Sequence, residues 1–224
     1  MNVLGLDSST AASAACVVRA DGEAFEEVPS AAELGAPPAH SHDLLRRAVA
    51  AVERASLGFA DLDAVAVGVG PGSFTGLRVG IATARALARA HDLELRPVSS
   101  LAALARGIDS DERLPLIDAR RGELFAALYD GAGHELLPPF AAAPEAVVER
   151  VREVARSPLA AGDGSIRFRG LLEPAGVRVA PDEAQVHVVR ALHICRLAAE
   201  GEAVAPEQVL PTYIRAPDAQ PRAT

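Results

Sequence analysis

Residues 65–80, Val-Ala-Val-Gly-Val-Gly-Pro-Gly-Ser-Phe-Thr-Gly-Leu-Arg-Val-Gly, constrain the fold more than any other part of the chain. An apolar run passes through a glycine-rich turn into a segment with helical periodicity. Strand, glycine loop and helix start, in that order, present backbone N–H groups to an anion. The stretch fits neither common phosphate loop. A Walker loop carries Lys-Ser or Lys-Thr after its last glycine, whereas Leu77-Arg78 follows Gly76. A dinucleotide fingerprint started at Gly70 needs glycine at position 75, which is Thr75. The loop is therefore no simple NTPase or dehydrogenase signature.

Around this unit the chain reads as alternating strands and helices. Residues 3–6 form a strand ending at Asp7-Ser8-Ser9-Thr10; residues 14–18 and 23–28 are two more, turned at Asp21-Gly22. Pro37-Pro38 marks a loop. A helix capped by Ser41 or Asp43 then carries Leu44, Leu45, Ala48, Val49 and Val52 on one face. The strand 62–69, the loop, a helix to about His91, a strand 95–98 and a helix 101–106 follow. The pattern restarts with a strand 114–117 ending in Asp118, strands 124–129 and 134–137, a helix 145–156, a strand 159–161, Gly162-Asp163-Gly164 with a short helix, and a helix 185–200. A three-strand meander led by a strand ending in Asp occurs twice, so the class is α/β with mixed sheets. The expected lobes are 1–105 and 106–215, with the last segment packing back on the first lobe. The tail 216–224 is expected to be disordered.

Half of the 224 residues are apolar and Trp is absent, so the core must be built from Ala, Val and Leu. All 22 basic residues are Arg, which reflects GC-rich coding rather than chemistry. A net charge of −8 argues against autonomous nucleic-acid binding. Cys16 and Cys195 have no metal or redox spacing and read as buried hydrophobes. No basic and apolar leader follows Met1, and no uncharged run approaches the ~18 residues of a membrane span; the expected compartment is the cytoplasm.

The helix after the glycine loop has three sectors at 100° per residue. Arg78, Arg85 and Arg89 share one, Leu77, Ile81, Ala84 and Ala88 another, and Gly76, Gly80, Thr83 and Leu87 the third. Each helical glycine costs roughly 1 kcal/mol against alanine, so something packs close to Gly76 and Gly80: the helix's own sheet, a neighbouring helix, or a second subunit. The arginine stripe is a solvated face, or it meets an acidic partner or RNA.

Asp7, Ser8 and Ser9 are candidates to hold a phosphate at a strand end, or form an ordinary Asx turn. Gly70, Gly72 and Ser73 are candidate backbone contacts to an anion. Arg120, in Asp118-Ala119-Arg120-Arg121, is a candidate side-chain contact where a backbone grip would want glycine. Gly162-Asp163-Gly164 seats a nucleoside or makes a tight turn. His40-Ser41-His42 is the only close histidine pair, two apart on a helix and so divergent, with no further ligand at metal spacing. Ser73 lacks the nucleophile-elbow glycine at position 75. No catalytic group stands out.

These residues resemble the TsaB (YeaZ) family. The resemblance covers most of the chain and is carried by residues 70–80, 6–10, 40–45, 117–125, 162–164 and the near-terminal Pro211-Thr212-Tyr213-Ile214-Arg215. It implies a two-lobed actin/Hsp70-like (ASKHA, ribonuclease H-like) fold. It implies a non-catalytic partner of the transferase TsaD that supports, with the ATPase TsaE, transfer of a threonylcarbamoyl group to tRNA adenosine next to the anticodon. The TsaD metal site uses a His-x-x-x-His spacing that this chain lacks. The chain itself is expected to need no cofactor, with ATP or ADP met only at the complex interface, and to touch tRNA only indirectly. It also implies pairing, with TsaD or with a second copy, through residues 43–56 and 75–90, hence the candidate contacts Leu44, Leu45, Ala48, Val52, Gly76, Gly80, Thr83 and Leu87. The alternatives are an ASKHA-type ATPase or small-molecule kinase, and a glycoprotease-like peptidase.

Overall fold

The computed structural model describes residues 1–35 and 40–215; for His40, Ser41 and His42 it describes the backbone only. The Pro37-Pro38 loop, the side chains of the histidine pair and the 216–224 tail therefore lie outside the described residues. Strands β1 (Val3–Asp7), β2 (Ala14–Val18) and β3 (Ala24–Glu27) form an antiparallel meander; β4 (Ala64–Gly68) and β5 (Glu94–Val98) add to it in parallel, giving the order β3-β2-β1-β4-β5. In the second half β6 (Glu112–Arg120), β7 (Glu123–Asp130) and β8 (Glu135–Ala142) form the meander. Strands β9 (Leu159–Ala161) and β10 (Arg178–Val179) extend it in parallel, in the order β10-β9-β6-β7-β8. The two sheets repeat one topology, β1 and β6 standing at the same place.

Period-2 alternation assigns each sheet face a different layer. From the first sheet, Leu4, Leu6, Val65 and Val67 face helices α1 (His40–Arg54) and α2 (Phe74–His91), making one core with Leu44, Ala48, Val52 and Ile81. Val3, Ala14, Cys16, Ala64 and Ala66 face the other way. They join α3 (Ser100–Arg106), α7 (Ala191–Glu200) and the inner face of the second sheet (Ile117, Phe125, Ala127, Tyr129) in one continuous core. Leu114, Leu116, Leu124 and Leu128 on the outer face pack with α4 (Pro144–Arg152) and α6 (Arg169–Leu172), which follows the short α5 (Asp163–Arg167). The layers run helices, sheet, helices, sheet, helices. No helix among the described residues is long and apolar enough to cross a membrane.

Several boundaries in the second half differ from the sequence reading: β6 and β8 are longer than the expected 114–117 and 134–137, and β10 was not expected. The expected helix 185–200 is a 3₁₀ turn at Gln185–His187, an extended link and then α7. Val188 and Val189 in the link are β-branched and buried, Val189 in the central core. The α4 helix ends at Arg152, four residues early, where Val154 would stand exposed. Helix α7 is anchored by a distant group: the buried Glu26 carboxylate on β3 accepts from the Leu192 N–H at 3.0 Å and pairs with Arg190. Through these contacts α7, although late in the chain, packs on β1 and β2 of the first sheet.

Candidate functional site

The strand-end residues Asp7, Ser8 and Ser9 meet the glycine loop, but they meet it as packing partners. Asp7 is fully buried at the end of β1. Its Oδ1 accepts from the Ser9 N–H at 2.9 Å and from the Ser9 hydroxyl at 2.7 Å; its Oδ2 accepts from the Ser100 hydroxyl at 2.8 Å. Burial pushes the Asp7 carboxyl above its ordinary range, against the pull of these bonds. The Ser8 hydroxyl donates to the Gly76 carbonyl at 2.9 Å, and the Ser73 N–H donates to the Ser9 carbonyl at 2.7 Å. The Gly70 N–H donates to the Ser100 hydroxyl at 3.2 Å. A side chain at Gly72 would overlap the Ser9 carbonyl. The two segments thus close on each other. Ser8, Ser9, Gly70 and Ser73 use these donors inside the protein, around the buried Asp7 carboxylate.

Arg120 lies elsewhere, in a cleft of about 680 Å³ lined also by Ser30, Leu34, Asp118, Asp163 and Arg167. Arg120 pairs with Asp118 at 3.2 Å and donates its own N–H to Asp118 Oδ1 at 2.9 Å; Arg167 pairs with the same carboxylate at 2.7 Å. The Asp163 carboxylate accepts the Asp118 N–H at 3.0 Å. Burial, with the Asp118 charge adding to it, pushes Asp163 up to about 6. Arg120 and Arg121 both have left-handed backbone, φ 64° and 54°. Asp182 and Glu183 complete an acidic rim. Arg120 and Arg167 share the Asp118 carboxylate, and Asp182 pairs with Arg169. Gly162-Asp163-Gly164 packs against β6 and forms a tight turn, with the Gly162 N–H donating to His187 Nδ1 at 3.1 Å. Among the described residues no group of three or more His, Cys, Asp or Glu is placed to hold a metal ion.

The candidate partner contacts divide. Leu44, Ala48 and Val52 point into the first-lobe core, and Gly76 and Gly80 are buried on the inner face of α2. A Cβ on Gly80 would stand 2.5 Å from the Ser8 hydroxyl oxygen. The close neighbour inferred for that glycine is therefore the chain's own β1 end, not another subunit. Thr83 and Leu87 are half-buried; Leu45 and Val49 on α1 and Ala82 and Ala86 on α2 are exposed. The arginine stripe is partly solvated, with Arg78 and Arg89 exposed and Arg85 half-buried, and all three contact the chain's own C-terminal segment. Arg85 donates to the carbonyls of Glu207 and Val209, Arg89 pairs with Glu207, and Arg78 lies 3.8 Å over the Phe74 ring and reaches the Tyr213 hydroxyl. The return of the last segment to the first lobe was expected from the sequence; the roles of Ser100 and of the arginines in holding that segment were not. The first was marked by Ser99-Ser100 at a helix start, the second by three arginines in register on one helix face.

One buried base carries a pH prediction. His193 on α7 is 7% exposed and its Nδ1 has no partner; burial first, and then Arg190, Arg196 and Arg106, push its pKa down to about 4. The folded chain holds it neutral while the unfolded chain protonates near the ordinary value, so its contribution is present above about pH 6.5 and is lost as pH falls towards 4. Asp163, shifted upward, acts in the opposite sense: its burial penalty is relieved as pH falls through about 6. In urea titrations from pH 7 to 4, His193→Leu should remove the first effect. The stability difference between wild type and variant is expected to drift by about 3 kcal/mol in the variant's favour. A pH-independent difference would refute the assignment.

Duplicated five-stranded mixed sheets of one topology, joined through two central helices, define a two-lobed α/β protein of the actin-like class. Residues 32–168 match the family model described as TsaD: tRNA N6-adenosine threonylcarbamoyltransferase. The chain is 30% identical to the tRNA threonylcarbamoyladenosine biosynthesis protein TsaB of Escherichia coli (strain K12), over 80% of this chain and 82% of that protein. It is 31% identical to the protein of the same name from Bacillus subtilis (strain 168), over 71% and 72%. A crystal structure of a Pseudomonas aeruginosa protein described as similar to peptidase YEAZ superposes with TM-score 0.78 and 28% identity, covering 96% of this chain and 99% of that one. The chain belongs to the TsaB (YeaZ) family.

Proposed function

We propose that the chain is a non-catalytic partner subunit in tRNA threonylcarbamoyladenosine biosynthesis, the pathway named for its TsaB relatives. In this reading it pairs with a TsaD homologue and, with TsaE, supports transfer of a threonylcarbamoyl group to tRNA adenosine. It works in the cytoplasm, needs no nucleotide of its own and meets tRNA only through the complex. The observation that carries the reading is a contrast on the first lobe. The segments that would grip a phosphate are closed on each other, while the outward faces of the adjacent helices α1 and α2 expose Leu45, Val49, Ala82 and Ala86. Small and apolar side chains on two packed helices suit a helix-on-helix interface. The core shared by the two sheets also favours a rigid scaffold over a hinged enzyme.

Reconstitution tests it: tRNA modification by TsaD, TsaE and a threonylcarbamoyl-adenylate-forming enzyme should require this chain. Undiminished modification without it would sink the reading. Leu45→Asp, at an exposed position, should leave the melting temperature within a degree or two and weaken pairing at least tenfold, in sedimentation velocity with the TsaD homologue or of the chain alone. Unchanged pairing would remove this face from the interface. A second reading, an ATPase or small-molecule kinase, draws on the match to a transferase family model over residues 32–168. Titration calorimetry of the isolated chain with ATP-Mg decides between them; tight binding with turnover would favour the enzyme.

A further inference from the structure

Residues 204–215 form a belt without strand or α-helix that runs antiparallel to α2. Its first part lies at the C-terminal end of α2, where Glu207 meets Arg89 and Arg85; Val209 meets Arg85; Tyr213 reaches the N-terminal end, stacked on Phe74 at 5.8 Å and bonded to Arg78. Both ends are pinned. The Val204 N–H donates to the Leu95 carbonyl at 2.9 Å and covers the free edge of β5; the Thr212 N–H donates to the Val69 carbonyl at 2.7 Å. Arg215 then crosses to Glu123 on β7 at 2.7 Å, in the other lobe. Val209 is buried in the first-lobe core at 1% exposure, with Val204 packed against the same core and Ile214 against the central one, while Leu210 and Tyr213 are 64% and 42% exposed.

We propose that residues 204–215 are a releasable latch, opening as one unit below global unfolding, whose seating holds α2 in register with the second lobe. Segments held by a few hydrogen bonds and little buried apolar area open locally before the core does. Here the holding groups are two isolated backbone hydrogen bonds, arginine side chains on carbonyls and carboxylates, and one deep apolar anchor, not a strand ladder. The link to function rests on the proposed pairing face: the latch occupies the arginine side of α2 and leaves the Ala82 and Ala86 side open.

Native-state hydrogen exchange of the full chain tests it. The Val204 and Thr212 amides should open with one shared free energy, lower than that of the Val67 amide in β4, between β1 and β5. Arg85→Ala combined with Arg89→Ala should speed both by the same factor, about tenfold or more, and leave β1 and β4 amides unchanged. Exchange of both amides only with global unfolding, or acceleration of one without the other, would overturn the latch. Because this readout needs no TsaD homologue and no pairing measurement, its failure is distinguishable from failure of the pairing reading. Pairing measured on the same variant reports the coupling, with a several-fold weakening expected and unchanged affinity refuting it.

Discussion

Gly80→Leu is expected to lower the stability of the folded chain by about 3 kcal/mol or more, with loss of pairing only as a consequence. The argument is steric and local. Gly80 is buried on the face of α2 that lies over the end of β1, and even a methyl group there would stand 2.5 Å from the Ser8 hydroxyl and 3.9 Å from its Cβ. Leucine adds three further carbons into a space already bounded by Val67. Overpacking of a dense interior costs roughly 1–3 kcal/mol, and here the buried Ser8–Gly76 hydrogen bond is displaced as well. The distances also predict a rescue. With Ser8→Ala the clashing oxygen is gone and the remaining 3.9 Å is ordinary contact. Gly80→Ala should therefore be better tolerated in that background than in wild type, by about 1 kcal/mol or more in a double-mutant cycle. Urea denaturation followed by circular dichroism measures all four corners. Ala82→Leu, on the exposed face of the same helix, is the control and should stay within about 0.5 kcal/mol. A stable Gly80→Leu protein that merely fails to pair would return the glycine to an intersubunit contact.

That reassignment shows where sequence reading reached its limit. The order of strands and helices, the repeated meander and the close approach at Gly80 were legible, because hydrophobic period and glycine placement are local signals. The identity of the close neighbour was not, because Ser8 and Gly80 are 72 positions apart in sequence and meet only when β1 and β4 pair. The same holds for Asp7. A short polar run at a strand end is equally suited to an anion and to a buried Asx turn; the choice was made by Ser100, whose hydroxyl arrives from α3. The partner of the arginine stripe was not legible either: Arg85 takes the carbonyls of residues 207 and 209, which carry no side-chain signature, and Glu207 and Tyr213, which meet Arg89 and Arg78, lie more than 100 positions away in sequence. Leu44, Ala48 and Val52 share one helix face with Leu45 and Val49 only in a coarse projection. The burial boundary runs through that face, with Leu44 fully buried and Leu45 47% exposed.

Gly162→Ala should be more damaging than any other single methyl addition discussed here. Two independent restraints act on the position. Its backbone holds φ +111° with ψ 164°, a region that residues with a Cβ avoid at a cost of about 1–3 kcal/mol. The added methyl would also overlap the carbonyl oxygen of Leu116 and stand 2.8 Å from Leu104 Cδ2. Leu116 lies in β6, the centre of the second sheet, so its carbonyl cannot give way as the end of a flexible side chain can. Moving Gly162 instead would pull its N–H from His187 and its carbonyl from the Ser165 hydroxyl, both buried. Summed, the loss is expected to exceed about 4 kcal/mol, a large part of the 5–15 kcal/mol that holds a typical domain together. Gly170→Ala, in α6 with open space where the methyl would go, is the matched comparison and should be neutral or slightly stabilising. Chemical denaturation of the pair separates the two interpretations of Gly162-Asp163-Gly164. A near-equal stability for both variants would mean that the turn tolerates a side chain, and that its glycines are kept for a ligand rather than for the contact with β6.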